Sequence, residues 1–118
     1  MPDWNRPQPP RAEPLPYDAA KAKAPRDAVV LFDGSEDALT NWEADKGGEP
    51  TKWVVKNGEL LCVPKSGYLR SKLKFSDGQY HVDGAAPTPP QGESQGRGNS
   101  GIFLQGAVEV QVLDNYEN

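Results

Sequence analysis

The sequence predicts an all-β domain that follows a proline-rich arm. Three observations carry this. From residue 28 onward, short runs rich in Val, Tyr, Phe and Trp alternate with turn residues; the pair Asn57-Gly58 joins two such runs; and VEVQVL at 108–113 alternates strictly between apolar and polar. Apart from the weak DAAKAKA at 18–24, no segment keeps a helical apolar period for more than a turn or two, and there are no internal repeats.

With 118 residues and 36% hydrophobic content, the chain has room for one small domain with a modest core. Seven of the twelve prolines lie before residue 28. Each removes a backbone donor and restricts the residue before it, so residues 1–27 read as an extended arm or linker and residues 28–118 as the domain. Trp4, Leu15 and Tyr17 are the arm's candidates for docking on the domain surface.

Of the 13 Lys/Arg and 17 Asp/Glu, five and four fall in residues 1–27, which leaves eight against thirteen in the domain. An acidic domain without a basic cluster excludes nucleic acid and anionic membrane as expected partners. The longest apolar run, AVVLF at 28–32, falls far short of the roughly 18 residues that cross a bilayer. Met1-Pro2-Asp3-Trp4 lacks the basic start and apolar centre of a signal peptide. Cys62, between Leu61 and Val63, has no cysteine to pair with and reads as a small core residue.

The elements follow in order. AVVLFDG gives a brief strand stopped by Asp33-Gly34. WVVKNGELLCV predicts strands over 52–56 and 59–63, joined by a type I′ turn at Asn57-Gly58 where both residues take positive φ. YLRSKLKF alternates well enough for another strand, and GQYHVDG supplies a further short one. The loop AAPTPPQGESQGRGNSG, with three prolines, runs over the surface. GIFLQGAVEVQVLD then makes two strands around Gln105-Gly106.

Alternation assigns faces to these strands. If Tyr80, Val82, Val108, Val110 and Val112 face the core, then His81, Asp83, Glu109 and Gln111 lie on the opposite surface of the sheet. That surface is either solvated or a groove, and a histidine with two carboxylates and an amide suits a sugar or a divalent metal.

Gly96, Gly98 and Gly101 match G-x-G-x-x-G, the dinucleotide fingerprint, which needs a strand before it and a helix after it. PTPPQGESQ cannot be the strand, and Ile-Phe-Leu followed by alternating valines cannot be the helix. No Gly-Lys-Ser or Gly-Lys-Thr follows, which excludes a Walker loop. What remains is a glycine-rich approach to a strand, serving either a tight turn or close backbone contact with another strand or a ligand.

LFDG at 31–34, NW at 41–42, WVVKNGEL at 53–60, APTPPQGESQGRGNSGIFL at 86–104 and VEVQVLDNYEN at 108–118 together resemble the 3-keto-disaccharide hydrolase domain family. The resemblance covers about residues 28–118, and the ordered pair NSGIFL and EVQVLD is its most specific part. It implies a concanavalin A-like jelly roll, an antiparallel β-sandwich with a groove on its concave face, of which this chain carries the N-terminal half. It also implies a carbohydrate ligand and a bacterial periplasmic or extracellular setting. One departure is His81-Val82-Asp83-Gly84, where the family more often has His-hydrophobic-Glu-Trp.

A 3-keto sugar carries an acidic proton at C2, and its C1 substituent lies β to the carbonyl. Cleavage by elimination and rehydration therefore calls for a general base near C2 and a group that stabilises the enolate oxygen. The resemblance makes His81 and Glu109 the candidate bases. Arg97, Asn99, Gln111 and Asp114 are the candidate substrate-binding residues, and His81, Asp83 and Glu109 are the candidate ligands of a divalent metal. Two other readings stay open. One is a non-catalytic carbohydrate-binding module with Trp42, Trp53, Tyr68 and Tyr116 as stacking platforms. The other is a partial sandwich whose exposed strand edges are covered by a second copy or a complementing chain.

Overall fold

The computed structural model describes Pro10 and residues 23–115. Most of the proline-rich arm, including Trp4, Leu15, Tyr17 and residues 18–22 of the DAAKAKA segment, lies outside the described residues, as does Tyr116. Six strands follow in order: β1 (Trp42–Ala44), β2 (Val54–Lys56), β3 (Glu59–Leu61), β4 (Leu69–Ser71), β5 (Asn99–Leu104) and β6 (Val108–Leu113). They pair antiparallel as β1 with β4, β2 with β3 and β5 with β6. The described residues contain no α-helix, only short 3-10 turns. This is the antiparallel all-β class expected, consistent with part of a β-sandwich.

The chain divides into two units at Gly78–Gln79. In the first, β2 and β3 close as the sequence predicts. Lys56 pairs with Glu59 around Asn57 at φ 53° and Gly58 at φ 77°, the positive values a type I′ turn demands. The strands are shorter than the expected 52–56 and 59–63. Val55 and Leu60, direct partners in the ladder, take the sheltered side, whereas Cys62 lies beyond the end of β3 and is exposed rather than in a core.

β4 occupies only three residues of YLRSKLKF, and its partner is β1. Glu43 stands opposite Arg70, whose Nη2 and Nε donate to Glu43 Oε1 at 2.7 and 3.1 Å. The strand expected at 28–32 does not form: Val29 and Val30 are exposed. The Leu31 carbonyl instead accepts from Asn41 Nδ2 and Trp42 Nε1, each at 3.0 Å. The neighbours Asn41 and Trp42 thus hold the LFDG segment through side chains at the Leu31 carbonyl. Between them runs a 3-10 helix over Glu36–Asn41, an element too short to carry a readable apolar period. It presents Ala38, the one buried apolar residue among those described.

In the second unit β5 and β6 form the longest ladder, six residues from each strand. Gln105 at φ 55° and Gly106 at φ 66° turn the chain, and Ala107 N–H donates to the Leu104 carbonyl at 3.1 Å. β5 starts at Asn99, inside the glycine-rich stretch assigned to the loop. The strand expected around Tyr80–Val82 is absent. Tyr80, Val82, Val108, Val110 and Val112 were expected to face a core, yet all five are exposed. The alternation of β6 is present in the hairpin, but a two-stranded ladder has no second layer of its own to cover an apolar face.

Candidate functional site

The register of β5 and β6 decides which side chains share a surface. Direct partners Phe103–Glu109, Gly101–Gln111 and Asn99–Leu113 point one way, and Ser100–Val112, Ile102–Val110 and Leu104–Val108 point the other. One face of the hairpin is therefore almost wholly apolar. The other carries an acid, two amides and an aromatic ring, divided by a glycine.

The amides are tied into one network. Gln111 Nε2 donates to Gln95 Oε1 at 2.7 Å and to Asn99 Oδ1 at 3.0 Å, and Asn99 Nδ2 donates to the Gln95 carbonyl at 3.1 Å. Gln95 sits in a 3-10 turn over Ser94–Gly96, so the glycine-rich segment is folded back to meet β6. Asn99 and Gln111 were both expected at the site; Gln95 was not. Its signal in the sequence is only its spacing of four residues before Asn99, and that has meaning once the turn is known.

Glu109 has a distinctive neighbour. A Cβ built on Gly101 would collide with Glu109 Oε1 and stand 2.8 and 2.9 Å from Cδ and Cγ. The Glu109 side chain therefore leans diagonally across the hairpin, over the position where any other residue would place its side chain. Phe103, directly opposite Glu109, stands on the same face and is 47% exposed. In the sequence Phe103 is hidden within the unbroken apolar run Ile102-Phe103-Leu104. The period of two, run back from the Gln105-Gly106 turn, would have placed it beside the acid.

Arg97 and Asp114 meet at the end of the ladder. Arg97 Nε donates to Asp114 Oδ2 at 3.0 Å, with the side chains 15% and 13% exposed, and Asp114 N–H donates to the Gly98 carbonyl at 3.1 Å. Gly98 has φ 49°, and a Cβ there would lie 2.8 Å from Asp114 Cβ and 3.3 Å from Ala86 Cβ. Positive φ and crowding both demand glycine at this point. Of the three fingerprint glycines, Gly98 shapes the backbone and Gly101 clears space for a side chain. Gly96 meets nothing within 4 Å.

His81 and Asp83 also pair, Nε2 to Oδ1 at 3.0 Å, on an exposed segment. Residues two apart in extended chain point the same way, as the alternation argument required. Glu109 does not join them. Among the described residues no three His, Cys, Asp or Glu side chains converge as a metal cluster. The expected set of His81, Asp83 and Glu109 thus provides one two-donor pair and one separate acid, which does not fit a three-ligand metal site.

The aromatic candidates of the first unit serve backbone groups. Trp53 Nε1 donates to the Gly67 carbonyl at 3.1 Å, and Trp42 Nε1 holds Leu31 as described; both rings are half-buried. Tyr68 is exposed.

Residues 27–118 match the family model described as the 3-keto-alpha-glucoside-1,2-lyase-like domain. The chain belongs to this family. A solved structure of a provisionally assigned glycosyl hydrolase from Parabacteroides distasonis is 46% identical, with a TM-score of 0.69 over 80% of this chain. Over that overlap the chain shares the fold of the corresponding part of its neighbour. It spans 39% of the neighbour's length. No curated protein matches it. No helix among its described residues is long and apolar enough to cross a membrane.

Proposed function

We propose that this lyase-like chain contributes the base-bearing face of a carbohydrate groove that cleaves 3-keto glycosides, with Glu109 as the general base. The observation that supports it is the placement of the Glu109 carboxylate over Gly101, beside Phe103 and the amide network of Gln95, Asn99 and Gln111. An acid laid across an open glycine, flanked by an aromatic ring and amides, has the composition that sugars call for: a stacking surface, hydrogen-bonding groups and a proton acceptor.

In this reading Glu109 takes the proton from C2, and the electron pair left behind conjugates onto the C3 carbonyl oxygen as an enolate. Collapse of the enolate re-forms the carbonyl, creates the C1–C2 double bond and expels the C1 substituent. That substituent leaves as its alcohol, taking the proton now on Glu109. Water added across C1–C2 then gives the free 3-keto sugar. Asn99 and Gln111, held through Gln95, orient the sugar hydroxyls, and Phe103 packs on the apolar face of the ring.

Arg97 and Asp114 act together in this proposal. Their pair fixes the backbone that leads into Asn99, so they serve the substrate by positioning rather than by contact. His81, oriented by Asp83, is the remaining candidate for proton transfer. No step is assigned to a metal, because the donor set does not fit one.

The test is Glu109→Gln, which keeps the shape of the side chain and removes its basicity. Turnover of a 3-keto glucoside is expected to fall by about a thousandfold, within the usual range for loss of a general base. Turnover equal to that of the unaltered chain would remove Glu109 from the role.

A further inference from the structure

We infer that Gly101 is a positioning residue, present because its missing side chain leaves the space in which the Glu109 carboxylate rests. This rests on Glu109 being the base. Gly101 lies within β5, directly opposite Gln111, and its φ is not in the positive region. Its backbone conformation is therefore open to any residue, and glycine costs a strand entropy and packing.

The reason for glycine here is spatial. The nearest atoms that a Cβ would meet are Oε1, Cδ and Cγ, all of the Glu109 side chain. Backbone cannot yield to such an overlap cheaply, but the far end of a flexible glutamate can. An alanine at 101 would leave the ladder intact and push the carboxylate away from its diagonal position. Gly98 supplies the contrast within the same motif, since its Cβ would press on Asp114 and Ala86 at φ 49°, where the fold itself would suffer.

Gly101→Ala thus separates catalysis from folding. Replacing a glycine whose φ is compatible with alanine removes freedom from the unfolded chain, so the melting temperature should hold or rise. Displacing a base by about an ångström costs on the order of a hundredfold in rate. The loss should appear in kcat, with KM close to that of the unaltered chain, because the amides and Phe103 keep their places.

The experiment measures three things on the full chain: NOEs from Gly101 Hα to Glu109 Hγ, melting temperatures, and 3-keto glucoside kinetics for the unaltered, Gly101→Ala and Glu109→Gln chains. The expected result is an NOE in the unaltered chain, an unchanged or higher melting temperature for Gly101→Ala, and a roughly hundredfold lower kcat. Absence of the NOE, an unaltered kcat, or a kcat loss accompanied by a fall in melting temperature would each overturn the inference. If Glu109→Gln turns over like the unaltered chain, the base assignment fails, and with it the positioning role, even where the NOE shows the side chain in place.

Discussion

The hairpins β2–β3 and β5–β6 are built by the same local rule, a pair of positive-φ residues between alternating runs, yet their faces differ. In β2–β3, three residues a side, Val55 and Leu60 shelter each other and the turn residues Asn57 and Gly58 fix the register. In β5–β6, six residues a side, one face gathers apolar side chains and the other gathers Glu109, Gln111, Asn99 and Phe103 around a glycine. Turn chemistry sets where a hairpin closes, and length sets whether a face is broad enough to hold a site.

The ends of the ladders differ in the same sense. Arg97 and Asp114 are mostly buried, whereas Arg70 and Glu43 across β4 and β1 are 52% and 21% exposed. Removing one partner of the first pair leaves a largely desolvated charge. Arg97→Ala should cost about 2–3 kcal/mol of stability in urea titration, the range for a charged hydrogen bond in a sheltered site. Gly98→Ala comes next, at roughly 1–3 kcal/mol for strain at a left-handed position that is also crowded. Gly58→Ala, at φ 77° but with open space around its Cβ, should cost about 1 kcal/mol. Equal losses for the two glycine changes would mean that crowding at Gly98 adds nothing.

These magnitudes also show what the sequence made legible. The Asn57-Gly58 turn and the alternation of β6 were readable because each depends on a few neighbouring residues. The faces of β5 were not, because they depend on register with β6, and so Phe103 went unnoticed. Tyr80 and Val82 suggest a strand by composition, but a strand also depends on pairing across the sheet, and their segment lies outside the three ladders described. Of the candidate site, Asn99, Gln111 and Glu109 are named by alternation and resemblance. Their link through Gln95 and the space left by Gly101 are three-dimensional facts that no spacing encodes.

The smallest effects belong to the first unit. Glu43→Gln should cost about 0.5 kcal/mol or less, the usual worth of a solvated cross-strand pair. Asp33 Oδ1 accepts from Ser35 Oγ at 2.6 Å and from Ser35 N–H at 2.9 Å, and these bonds hold its carboxyl below the ordinary aspartate value. Because the folded value is the lower one, the stabilisation is present above the ordinary aspartate range and is lost as pH falls through the lowered value. Asp33→Asn should remove this part of the acid dependence of the urea midpoint, and an unchanged acid limb would contradict it.

The central claim, proton removal from C2 by Glu109, is tested most directly by cleaving a 3-keto glucoside in D2O and following C2 by NMR at early times. Deuterium at C2 of the released sugar, with both exchange and release suppressed in Glu109→Gln, is the predicted result. Release of the sugar with its original C2 proton retained would contradict it.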